Sequence, residues 1–145
     1  MFLSKDVKAT QAVTITAGAA GTTAINGAVL DMSGFEEVAV VVQFGAIVSG
    51  AVTSIKWQEG DASDLSDAAD VAGTSQAVAD DDDDTVFRIN VIKPRSRYGR
   101  VVISRATQNA TCSAMYYQAG ARTLPVTDAA TVAGETHVSP AEGTA

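Results

Sequence analysis

Apolar and polar residues alternate with a period of two in a series of short stretches, the spacing that puts one face of a β-strand on a core. From Gln11 the chain reads Ala-Val-Thr-Ile-Thr, with Val13 and Ile15 alternating with Thr14 and Thr16, which predicts a strand. Gly18, Gly21, Thr22 and Thr23 punctuate it, and residues 24–30 predict a second short strand. Asp31-Met32-Ser33-Gly34 is a turn signal. Residues 35–44 follow, with Val38, Val40 and Val42 on one face and Ala39 and Val41 on the other. Both faces are apolar, which marks a central strand covered on both sides, on one of them by a neighbouring subunit. Residues 45–50 read as a loop or hairpin connection. In residues 52–58, Thr53, Ile55 and Trp57 face one way and Ser54, Lys56 and Gln58 the other. Trp57 is expected in the core.

Residues 60–84 break the pattern. They carry Asp61, Asp64, Asp67, Asp70 and the run Asp80, Asp81, Asp82, Asp83, Asp84, with no Lys or Arg. The expectation is a long loop with a helical turn near residues 65–71, its adjacent aspartates hydrated at the surface. Residues 86–92 are a strand with Phe87, Ile89 and Val91 inward and Arg88 and Asn90 outward. Lys93-Pro94-Arg95-Ser96 is a turn, and residues 98–105 return to make a hairpin. After a mostly polar turn at 106–110, residues 111–118 form the last strand, with Cys112, Ala114 and Tyr116 on one face and Ser113, Met115 and Tyr117 on the other. Residues 1–10 read as a flexible N-terminal arm, and residues 126–145, with Pro140 as a breaker, as an extended or disordered tail. Short strands separated by turn signals, without a long amphipathic helix, predict a single all-β domain over residues 11–125: an antiparallel, jelly-roll-like β-sandwich.

Composition changes this picture little. At 145 residues the chain is long enough for one domain with its own core. The net charge of −7 disfavours nonspecific binding to nucleic acid. The first residues lack the apolar core of a signal peptide, and no apolar run is long enough for a membrane span, so no membrane partner is expected.

Candidate chemistry is sparse. His137, the single histidine, falls in the tail, where a general base has nothing to position it. Cys112 is the single cysteine and sits mid-strand among small residues, the setting of a structural thiol. One Cys and one His cannot complete a zinc site. Asp61, Asp64, Asp67 and Asp70 recur every three residues, but not at the spacing of a calcium loop, so neither metal nor cofactor is expected. No enzymatic activity is expected.

The sharper feature is basic. Arg88, Lys93, Arg95, Arg97, Arg100 and Arg105 are six of the ten basic residues and lie in one segment free of acid. Two readings stand: arginines that pair with the protein's own aspartates, or a docking surface for an acidic partner or a neighbouring copy. On the second reading, the subunit or capsid interface takes in Arg88, Lys93, Arg95, Arg97 and Arg100 together with Asp80, Asp81 and Asp82. Interleaved aromatics for stacking on nucleic-acid bases are missing.

Four motifs follow one another along the chain. They are Asp31-Met32-Ser33-Gly34-Phe35-Glu36, Ile55-Lys56-Trp57-Gln58-Glu59-Gly60-Asp61, Ala69-Asp70-Val71-Ala72-Gly73, and Phe87-Arg88-Ile89 leading to Arg97-Tyr98-Gly99-Arg100-Val101-Val102-Ile103. This order resembles small proteins encoded among the head genes of tailed bacteriophages, over about residues 25–122. The run Asp80 to Asp84 and the long tail depart from that pattern. The resemblance implies a decoration or cement protein on the outer capsid surface, commonly a homotrimer, that clamps neighbouring major capsid subunits. Alternatives are another virion part, such as a tail-tube, head–tail joining or fibre-associated domain, or a carbohydrate- or calcium-binding surface module.

Overall fold

The computed structural model describes residues 3–139 and 141–143; Met1, Phe2, Pro140, Thr144 and Ala145, which fall in the expected arm and tail, lie outside the described residues. A single helical turn, α1 (Leu3–Asp6), precedes ten strands: β1 (Lys8–Val13), β2 (Ile25–Asn26), β3 (Leu30–Asp31), β4 (Glu37–Ile47), β5 (Val52–Gly60), β6 (Ala69–Asp70), β7 (Gln76–Val78), β8 (Val86–Ile92), β9 (Tyr98–Ala106) and β10 (Ala110–Ala119).

The strands form two antiparallel sheets. One has the order β1-β10-β4-β8. In the other, β9 and β5 are central, with β2 and β3 both on the outer side of β9 and β6 and β7 both on the outer side of β5. Each of those short pairs is one interrupted strand, so the ten strands occupy eight positions. Chain order then alternates between the sheets at every step except from β5 to β6 and β7. That is the winding of a jelly roll, as the alternation pattern led one to expect.

Period-two burial explains why the sheets close on each other. Val38, Val40 and Val42 of β4 and Ile89 and Val91 of β8 face Ile55 and Trp57 of β5 and Val101 and Ile103 of β9 across one core. Trp57 and Tyr116 meet edge to face at 5.9 Å, and Phe44 meets Phe87 in the same way at 5.7 Å. Tyr116 also ties the sheets by hydrogen bonds. From β10 its phenol crosses the core, accepts from the Val101 N–H at 3.0 Å and donates to the Ala28 carbonyl at 2.9 Å.

Several expectations need correction. Residues 86–105 are not a hairpin: β8 pairs with β4 in one sheet, while β9 pairs with β5, β2 and β3 in the other. The link at 93–97 has none of the glycine or asparagine pairs that close a two-residue turn, and five residues suffice to cross the roughly 10 Å between packed sheets. Lys93 starts the crossing at a left-handed φ of 52°.

The first strand begins at Lys8, so the last three residues of the expected arm belong to the sheet, and Ile15 is 79% exposed. The second strand is split where Gly27 packs against Tyr116 and Val101, a place with no room for a side chain. Residues 60–84 hold two short strands and no helix; the side chain of Leu65, in the expected helical turn, is buried. The inner face of β4 is buried and its outer Ala39 and Val41 are only half-buried. The start of the tail is extended and docked: the Val126 N–H donates to the Lys5 carbonyl and the Ala129 N–H to the Ala9 carbonyl, along the outer edge of β1.

Candidate interaction surfaces

The register of β8 defines two ends. Glu37 pairs with Ile92 at one, and Gln43 with Val86 at the other. Lys93, Arg95 and Arg97 lie in the crossover beyond Ile92. Asp80, Asp81 and Asp82 lie in the loop before Val86, beside the link at 48–51. The expected interface residues are therefore not one patch. Arg88 stands exposed on the outer face of the β1-β10-β4-β8 sheet, across from Val41. Arg100 stands on the outer face of the other sheet and donates from Nε and Nη2 to the Gln58 side chain. Arg105 is buried near the aspartate end, where its guanidinium donates to the carbonyls of Ala19, Thr23 and Ala110.

At the crossover end, the four motifs become each other's partners. Glu59 is buried; its carboxylate accepts from Trp57 Nε1 at 3.0 Å and from the backbone N–H groups of Arg95 and Ser96. Asp61 accepts from the Arg97 N–H, and Asp70 holds both Lys56 and Gln58 at 2.8 Å. Arg97 makes a bidentate pair with Asp31 and lies over the Tyr98 ring, 5.0 Å from its centroid. That guanidinium is the chief reason the Asp31 carboxyl is held below its usual range, against the opposing effect of partial burial. Sequence reasoning placed Glu59 in a motif but missed it as the hub; a glutamate two residues past an inward tryptophan, on the same strand face, was the available signal.

Between this network and the turn at 32–35 runs an open groove of about 420 Å³. Arg95, Arg97 and Arg122 line it together with Phe35 and Pro94, and no carboxylate does. Arg122, absent from the expected interface, is brought there by its backbone N–H, which donates to the Gly34 carbonyl at 2.9 Å. The side chains of Arg95 and Arg122 are exposed and make no hydrogen bond or ion pair among the described residues.

The aspartates do local work. Asp80 accepts from the Gly50 N–H, Asp82 from the Ala79 N–H and Asp83 from the Ile47 N–H, so three of the run brace their own end of the sandwich. The side chains of Asp81 and Asp84 are exposed and have no partner among the described residues. In the other series, Asp67 accepts from the N–H groups of Asp61 and Ala62, which lowers its pKa, and Asp64 is lowered by its bonds to Ser66. Among the described residues no three of His, Cys, Asp and Glu converge as metal ligands. His137 is exposed, 2.9 Å from Glu135. Cys112 is buried, and burial pushes its thiol pKa up. No described helix is long and apolar enough to cross a membrane.

The fold and site define an antiparallel jelly-roll domain with a hydrogen-bonded motif network at one end. No family model matches the chain, and no curated protein matches it in sequence. Among solved structures it is similar to the SPBc2 prophage-derived protein YomS, with 12% identity, a TM-score of 0.47, and coverage of 78% of this chain and 94% of that one. It is also similar to the structure of infectious bursal disease virus, Gx strain, with 13% identity, a TM-score of 0.37 and coverage of 81% of this chain. The chain spans 32% of that viral chain.

Proposed function

We propose that the chain is a non-catalytic structural component of a tailed-bacteriophage particle, bound to the outer surface of the capsid. In this reading it stabilises the shell as a homotrimer that clamps neighbouring major capsid subunits, and neither nucleic acid nor a membrane is its partner. The observation that carries the reading is the meeting of the four phage-head-like motifs in one network, Asp31–Arg97, Glu59 with residues 95–96, and Asp70 with Lys56 and Gln58. Motifs dispersed over some seventy residues meet at one end of the domain, which supports the reading. Asp31, Glu59, Asp70 and Arg105 hold strands and loops in place, the Cys112 thiol is buried with its pKa pushed up, and the exposed His137 lies beside Glu135 in the tail. Jelly rolls are a recurrent architecture of virion proteins, though also of lectins and cupins, so the fold alone leaves function open.

Mixing the purified chain with expanded phage shells tests this. Saturable binding, with shells that resist heat better when decorated, is the expected result, together with a trimer mass in solution or on the shell. A ring of six in solution would move the assignment to the tail. No binding to shells, or hydrolysis of a substrate by the pure chain, would remove the decoration reading.

A further inference from the structure

We propose that copies of this chain associate head to tail, the 79–85 loop of one entering the arginine-lined groove of the next. The two surfaces cannot meet within a molecule. β8 separates them, and its seven residues span about 20 Å, more than the Debye length of roughly 8 Å at physiological ionic strength. The loop is left with the unpartnered side chains of Asp81 and Asp84, and the groove lining with those of Arg95 and Arg122; the exposed Glu36 and Glu37 stand outside that lining at the same end. The apolar parts also correspond. Val48 and Val86, 45% and 55% exposed, flank the aspartates, while Phe35 and Pro94 line the groove with the arginines.

Asp84, in the loop that leads into β8, has a left-handed φ of 56°. Because different surfaces meet, the contact is heterologous, and it closes a ring or continues as a filament according to the rotation between copies. The inference goes beyond the virion assignment and does not depend on it, since it concerns the chain alone.

The test uses the full chain in sedimentation velocity at low and high salt. The acid-loop variant is Asp81→Asn with Asp84→Asn, which spares the three aspartates that brace the backbone and keeps a residue tolerant of left-handed φ. The groove variant is Arg95→Gln with Arg122→Gln, which spares Arg97 and its Asp31 partner. Wild-type chain is expected to self-associate at low salt, about tenfold more weakly at 0.5 M salt. Each variant alone is expected to be monomeric with an unchanged circular dichroism spectrum. An equimolar mixture of the two is expected to form dimers and nothing larger, because each retains one intact surface. A monomeric wild type at low salt, or an oligomer indifferent to both pairs of substitutions, overturns the proposal. An acidic surface of a different protein is then the better occupant of the groove.

Discussion

A methyl group added at Gly99 would overlap the six-membered ring of Trp57, which fills the space above that residue in the opposing strand. The glycine of the Arg97-Tyr98-Gly99-Arg100 motif is thus a packing requirement of the tryptophan in Ile55-Lys56-Trp57. Gly99→Ala is expected to destabilise the domain by about 2 kcal/mol, the usual cost of overpacking a filled core, read from the urea midpoint at constant slope. Tyr116 is coupled to the same cluster. Removing its hydroxyl in Tyr116→Phe leaves the Val101 N–H and the Ala28 carbonyl without their partner inside the core, a loss of about 1–3 kcal/mol. Trp57 was legible as a core residue from its place in an alternating strand. The need for Gly99 was not, because the two residues come together only when β5 and β9 pair.

At the scale of elements, the lesson lies in which strands pair. Residues 86–92 and 98–105 each alternate cleanly, and alternation records which face is buried, not which neighbour shares the ladder. Nothing in Lys93-Pro94-Arg95-Ser96-Arg97 distinguishes a loose hairpin from a crossing between sheets; the buried carboxylate of Glu59, bound to the N–H groups of Arg95 and Ser96, holds the crossing in place. Arg105 has the matching task at the other end, tying the 19–23 loop to the start of β10. Arg105→Met leaves three carbonyls without their cationic donor and is expected to cost about 3 kcal/mol. Hydrogen exchange of the Cys112 amide, which donates to the Gly18 carbonyl, should quicken more than that of the Val40 amide in β4. Equal acceleration at both would show that Arg105 does not act locally.

For the molecule as a whole, charge is placed by jobs and by ends. Asp31, Asp64, Asp67 and Asp70 all have lowered pKa values, from Arg97, from bonds to Ser66, from the N–H groups of Asp61 and Ala62, and from Lys56 and Gln58 respectively. A carboxyl depressed in the folded state binds fewer protons there than when unfolded. Its contribution is present above the unfolded value, near 3.8, and is lost as pH falls through the folded value. Stability is therefore expected to be level near neutral pH and to decline below about pH 4. Asp31→Asn should flatten part of that decline, measured as the urea midpoint against pH; an unchanged slope would mean that the Asp31–Arg97 pair is not formed in solution.

The sequence by itself determined the class of this domain: strands, their inward faces, the core tryptophan and the absence of long helix all follow from period-two alternation and turn residues, which are local properties. It also set the two charge clusters in order along the chain. Only the tertiary structure decided that the clusters stand at opposite ends of β8, that Arg88, Arg100 and Arg105 leave the basic group, and that Arg122 joins it. Those placements depend on pairings between residues far apart in sequence, such as Asp31 with Arg97 and Gly34 with Arg122, for which neither member carries a local signal.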